Sequence, residues 1–145
     1  MSNVLRLAIV DPNEDTRDTL KAMLLGMDTV WLEAECSRYE FFADVIDQTH
    51  PEIGIVVLDG DQQKAIELVA GLGQSAPECH ILVISKSCDG DLILQAMRAG
   101  AKEFLTQPVK VQDIASALDR ITKNTFGKDQ RRIRGCSVIA VAGAT

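Results

Sequence analysis

Four polar side chains stand directly after apolar, strand-like runs. Asp11 follows residues 4–10 (VLRLAIV), Asp59 follows 53–58 (IGIVVL), Ser85 ends 80–85 (HILVIS), and Gln107 lies between Thr106 and Pro108 just after 103–105. Two carboxylates, a hydroxyl and an amide make an oxygen-rich set. Carboxylate oxygens suit hard cations or nucleophilic work, whereas hydroxyls and amides donate hydrogen bonds. Soft-metal chemistry has no such pattern. Cys36, Cys79, Cys88 and Cys136 are scattered with no C-x-x-C pair, and His50 and His80 complete no zinc spacing. The cysteines read as small, semi-buried apolar residues of a reducing compartment.

The elements that must position these residues follow a strand-then-helix rhythm, repeated five times. Helical spacing marks 13–27, where Thr16, Leu20, Met23, Leu24 and Met27 share a face. It recurs at 38–49 (Phe41, Phe42, Val45, Ile46), at 62–73 (Ile66, Leu68, Val69, Leu72), at 89–99 before Gly100, and at 110–123 (Val111, Ile114, Leu118, Ile121). The run at 30–36 alternates like a half-buried strand, and 53–58 is apolar throughout, like a strand covered on both faces. Strands alternating with helices of roughly 10–15 residues predict βαβ units and a parallel sheet with helices on both sides. Sites in such open sheets form outside the carboxyl ends of the strands. Those ends are where Asp11, Pro12, Asp59, Ser85 and Gln107 fall.

The chain has 145 residues, 46% of them hydrophobic, enough for one packed domain and too apolar for a disordered chain. No run approaches the roughly 20 apolar residues of a membrane span, and the first residues lack the pattern of a secretion signal, so the expected location is the cytoplasm. Net charge is −6, but residues 127–145 hold four of the 15 basic side chains and one of the 21 acidic ones. The body is therefore strongly acidic, which argues against nucleic-acid binding.

The stretches LAIVDPNEDTR (7–17), VVLDGD (56–61), ILVIS (81–85) and AMRAGAKEFLTQPV (96–109) resemble the response-regulator receiver (CheY-like) family over residues 4–125. The resemblance implies a doubly wound, flavodoxin-like α/β fold with five parallel strands in the order 2-1-3-4-5. It also implies a site in which acids after strands one and three hold Mg²⁺, and the strand-three Asp accepts a phosphoryl group. A Ser or Thr after strand four and a Lys after strand five bind the phosphoryl oxygens. Carried over by position, Asp11 and Asp59 are the Mg²⁺ candidates, Asp59 the candidate phosphoacceptor and Ser85 the hydroxyl. Gln107 stands in the usual Lys position, and Phe104 matches the aromatic that family members move on activation.

Three positions depart from the pattern. Pro12 stands where a second acid would be, and Asn13, Glu14 and Asp15 are expected to cap and charge the next helix. Gln107, 22 residues after Ser85, offers a neutral hydrogen bond in place of a charged one, and Lys110 lies beyond the proline. The family's phosphoacceptor spacing lands on Val57, which is six residues after Pro51 and 28 before Ser85. Asp59 and Asp61 are accordingly assigned to turn chemistry, Asp61 capping a helix that starts at Gln62. These departures describe a pseudo-receiver, with no enzymatic activity expected of this chain. A flavodoxin-like cofactor binder is disfavoured, because the acidic DPNEDT loop is a poor phosphate cradle.

Residues 127–135 read as a basic linker after a domain spanning 1–126. The segment CSVIAVAGAT (136–145) resembles the truncated first strand of a ParA/MinD-like ATPase. Together with 60–69 and 91–109, this order resembles the CpaE/TadZ pilus-assembly proteins. It implies a domain that localises or dimerises an attached ATPase, with pilus or secretion machinery as partner and recruitment to the inner membrane or cell pole. The expected dimer face is the fourth helix, fifth strand and fifth helix, with Leu92, Leu94 and Ala96 as interface residues, since that helix is apolar over much of its circumference. A phosphorylatable receiver using Asp59 is the alternative.

Overall fold

The computed structural model describes residues 4–134, and side chains through Lys123. Five strands and five helices alternate: β1 (Leu5–Val10), α1 (Glu14–Leu25), β2 (Val30–Cys36), α2 (Tyr39–Thr49), β3 (Ile53–Val57), α3 (Gln62–Ser75), β4 (His80–Ser85), α4 (Gly90–Ala99), β5 (Glu103–Thr106) and α5 (Val111–Arg134). All strand pairs are parallel, in the order β2-β1-β3-β4-β5. This is the doubly wound sheet that the alternating pattern predicts.

The two sides of the sheet close separate cores. Leu7, Ile9, Ile53, Ile55, Val57, Leu82 and Ile84 pack under α1 and α5, meeting Leu20, Leu24, Ile114, Ala117, Leu118 and Ile121. Ala8, Val10, Val56, Ile81 and Val83 face α2, α3 and α4. β3 is buried at every residue because both of its faces are covered, so its sequence is continuously apolar. Burying one such Val, Leu or Ile side chain contributes ~1.5–3 kcal/mol. An irregularity between Leu7 and Ala8 shifts the register of the edge strand β2. Val30 therefore joins the α1/α5 core, while Cys36 joins the other.

Local signals set the helix ends. Asn13 accepts from Thr16 N at 3.1 Å and caps α1; Asp61 accepts from Lys64 N at 3.1 Å and caps α3. Both expectations for capping hold. Gly100 closes α4 at φ 122°, a backbone conformation that a side chain would strain.

The structure departs from the sequence reading in three places. Strand three stops at Val57, and Leu58–Gly60 forms one turn of 3-10 helix, so Asp59 is not on the strand's own extension. α5 continues through Arg134, which makes most of the stretch read as linker helical. Gly127 costs roughly 1 kcal/mol there, but its Lys, Gln and Arg neighbours are good helix formers. Cys88 is exposed, whereas Cys36 and Cys79 are buried as expected. The ATPase-like segment 136–145 lies outside the described residues.

Candidate functional site

β1, β3, β4 and β5 deliver their carboxyl ends to one edge of the sheet, and Asp11, Asp59, Ser85 and Gln107 meet there. Asp11 is only 1% exposed and Ser85 is wholly buried, and they are the buried polar side chains among the described residues. Gln107 N donates to Ser85 O at 2.8 Å, extending the β4–β5 ladder past the last strand residue. Asp11 N donates to Cys36 O at 3.0 Å, which anchors β1's end to β2.

Asp59 is the acceptor at the centre of the site. Its Oδ1 accepts from Ser85 Oγ at 3.0 Å and from Lys86 N at 2.9 Å, and its Oδ2 accepts from Gln107 Nε2 at 2.9 Å and again from Lys86 N at 3.1 Å. The assignment of Asp59 to turn chemistry is corrected by this geometry. The tight Leu58–Gly60 turn swings the carboxylate back across the ends of β4 and β5, while Val57 stays inside the α1/α5 core. Spacing along a chain measures position on an extended strand, and a 3-10 turn breaks that measure within one residue.

Asp11 has different company. Its Oδ2 accepts from Thr16 Oγ1 at 2.5 Å and its Oδ1 from Asn13 N at 3.0 Å; Arg17 Nη1 donates to its backbone carbonyl at 2.9 Å. Burial raises the Asp11 pKa and the negative charge of Asp59 adds to this, against lowering by the Thr16 and Asn13 hydrogen bonds and by Arg17.

These donors do not fit a divalent cation. Mg²⁺ demands near-octahedral oxygen ligands. Asp59 has two N–H or O–H donors on each oxygen, Asp11 is the one other carboxylate brought to the site and already accepts one donor on each oxygen, and Pro12 has no side-chain oxygen. Among the described residues no group of three or more His, Cys, Asp or Glu side chains gathers to hold a metal. Beside Asp11 lies a cleft of about 120 Å³ lined largely by apolar atoms of Leu20, Met23, Val57, Ile84 and Val109.

Several supporting residues escaped the sequence reading. Tyr39, at the start of α2, donates its hydroxyl to Val57 O directly beneath the turn that carries Asp59. Burial pushes its pKa up to about 12. A buried tyrosine needs a partner for its hydroxyl, but nothing in a single sequence says which carbonyl will supply it. Gly60 has a steric role: a Cβ there would lie 2.5 Å from Pro12 Cγ. The proline that replaces an acid thus packs against the turn holding Asp59. The Lys86 backbone N–H, a central donor, carries no side-chain signature at all.

On the fourth helix the expected interface is corrected in part. Leu92 and Ala96 are core residues packed under the sheet, unable to touch a partner. Leu94 and Met97 are exposed at 47% and 41%. A helix apolar around much of its circumference buries one stripe and shows the next, and periodicity alone did not say which. Phe104 is half-buried against the α2/α3/α4 core.

No family model matches the chain. It is 29% identical over 121 residues to the transcriptional regulatory protein TdiR of Thauera aromatica, covering 81% of this chain and 51% of that protein. It is 22% identical over 120 residues to the chemotaxis protein CheY of Listeria monocytogenes, covering 83% of this chain and all of CheY. The chain spans about half the length of the transcriptional regulators it matches. Among solved structures it matches the signal receiver domain of a Mycobacterium tuberculosis protein described as response regulator NarL (TM-score 0.77, 17% identity, 83% of this chain and 98% of that one). It also matches a Burkholderia pseudomallei protein described as pilus assembly-related (TM-score 0.72, 15% identity, 83% and 90%). With its strand order and alternating helices, the chain has the fold of response-regulator receiver domains.

Proposed function

We propose that this chain is a receiver-like protein-interaction domain that works without phosphorylation, a pseudo-receiver. One observation carries the reading: both Asp59 oxygens are already engaged by Ser85, Lys86 and Gln107. Ser85 and Gln107 stand where the receiver resemblance puts phosphoryl-binding groups. Gln107 supplies a neutral donor worth about 0.5–1.5 kcal/mol, where a charged one would give about 1.5–3 and a positive charge besides. Pro12 stands where the receiver resemblance puts a second acid.

The finer reading is a domain that localises or dimerises an attached ATPase in pilus assembly or secretion. Its supports are the sequence resemblance to CpaE/TadZ proteins and the likeness in fold to a protein described as pilus assembly-related. The proposed contact is a homodimer through the exposed apolar residues of α4, Leu94 and Met97. The second reading is a phosphorylatable receiver with Asp59 as acceptor, favoured by the 3.0 Å contact between Asp59 and Ser85 Oγ.

Intact mass after incubation with a small-molecule phosphodonor and Mg²⁺ separates them, comparing wild type with Asp59→Asn. The pseudo-receiver gains no phosphate under conditions that label a control receiver. A single phosphate gained by wild type and absent from Asp59→Asn overturns the proposal in favour of the second reading.

A further inference from the structure

The cleft beside Asp11 opens between α1 and the segment that follows β5. Leu20 and Met23 come from α1, Val57 and Ile84 from the ends of β3 and β4, and Val109 from beyond β5. Thr16, Thr19, Leu20 and Met23 repeat at helical spacing, so a single face of α1 forms one wall. The volume is about 120 Å³. A cavity of roughly 150 Å³ lined by Leu, Ile and Phe is enough for benzene, so this cleft has room for a short hydrocarbon chain.

The polar end of the cleft is Asp11, and the polar atoms around it chiefly accept. A carboxylate has about four lone-pair directions. Asp11 uses one on Thr16 Oγ1 and one on Asn13 N, which leaves each oxygen able to take another donor. The Thr19 hydroxyl is spent on Asp15 O at 3.0 Å and Gln107 Nε2 on Asp59, while Gln107 Oε1 accepts from no donor among the described residues. Charge points the same way. Among the described residues no Lys or Arg lines the cleft. Arg17 acts on Asp11 from outside it, donating to the backbone carbonyl, and Asp59 opposes it with a negative charge. Such a lining repels an anion and is too short of ligands for a divalent cation, whereas an ammonium group needs only acceptors.

We infer that the cleft between α1 and the segment after β5 binds a small organic cation, a primary ammonium group on a short alkyl chain. The ammonium donates to the spare lone pairs of Asp11, and the chain lies against Leu20, Met23 and Val109. This goes beyond the pseudo-receiver reading and does not rest on it. Phosphodonor labelling reads Asp59, whereas amine binding reads Asp11 and the α1 wall.

The probe is n-butylammonium, added to the full chain while the methyl resonances of Met23, Val57, Ile84 and Val109 are followed. Binding should saturate with a Kd on the order of millimolar, as suits so small a ligand. Asp11→Asn keeps the space and removes the charge, and should bind about tenfold more weakly. Neutral n-butanol should bind wild type about tenfold more weakly than the amine for the same reason. Ammonium chloride, which has no chain, should leave the Met23 methyl unmoved. Val109→Phe narrows the cleft from the β5 side and should abolish the response. No saturable response in wild type would overturn the inference. So would equal affinity for Asp11→Asn or for n-butanol, the same shifts from ammonium chloride, or unchanged binding to Val109→Phe. Should Val109→Phe not fold, the comparison of wild type with Asp11→Asn decides alone.

Discussion

Asp11 is a buried carboxylate, and its protonation is tied to folding. Burial first, then the charge of Asp59, raises its folded-state pKa above the ordinary 3.8. Folding therefore takes up a proton between those two values. The stability linked to this group is fully present below about 3.8 and is lost as pH rises through the folded-state pKa. Asp11→Asn, which keeps the acceptor for Asn13 N and lets Thr16 turn its hydroxyl, should be more stable than wild type at neutral pH. The advantage should vanish in strong acid. Urea unfolding at several pH values checks this, and a variant less stable at neutral pH would contradict it. At the same scale, Asp11 and Ser85 were legible from their places after apolar runs. The role of Asp59 was not, because its direction depends on a single tight turn and on Gly60 lying against Pro12.

At the scale of elements, α2 supports the site from below through Tyr39. Its hydroxyl satisfies the Val57 carbonyl at the point where β3 becomes the Leu58–Gly60 turn. Tyr39→Phe removes that donor in a buried setting and should cost about 1–3 kcal/mol in urea unfolding. Tyr39 is the chain's one tyrosine, so its titration can be followed by phenol absorbance, and ionisation should set in near 12 instead of the usual 10. A midpoint near 10 in the folded protein would refute the buried placement. α1 is tied to the edge strand by charges: Arg17 and Lys21 both reach Glu35 on β2, at 3.4 and 2.8 Å. Both pairs are partly exposed, so they register α1 against β2 more than they stabilise it. The strands and helices themselves were legible, since each is at least one clean period of apolar spacing. Their ends shifted where a cap or a turn decided them.

At the scale of the whole molecule, α4 separates what folds the domain from what it leaves exposed. Leu92 is 6% exposed and its neighbour in the pattern, Leu94, is 47% exposed. Leu94→Glu should leave stability within about 0.5 kcal/mol and weaken any self-association seen by sedimentation velocity. Leu92→Glu should unfold the domain by placing a charge in its core. An oligomer unchanged by Leu94→Glu would remove this face as the contact. Among the described residues no helix is long and apolar enough to cross a membrane. The sequence by itself determined the alternating architecture, the two-sided burial of β3, and the gathering of Asp11, Asp59, Ser85 and Gln107 at one sheet edge. Each of these follows from local hydrophobic period and from a parallel sheet having all its carboxyl ends on one side. Only the tertiary structure decided that Asp59 turns inward to accept from Ser85, Lys86 and Gln107, that Tyr39 props its turn, and that Leu92 and Ala96 belong to the core. Those outcomes depend on side chains meeting across distant segments, where one residue of turn or a third of a helical rotation changes which atoms touch.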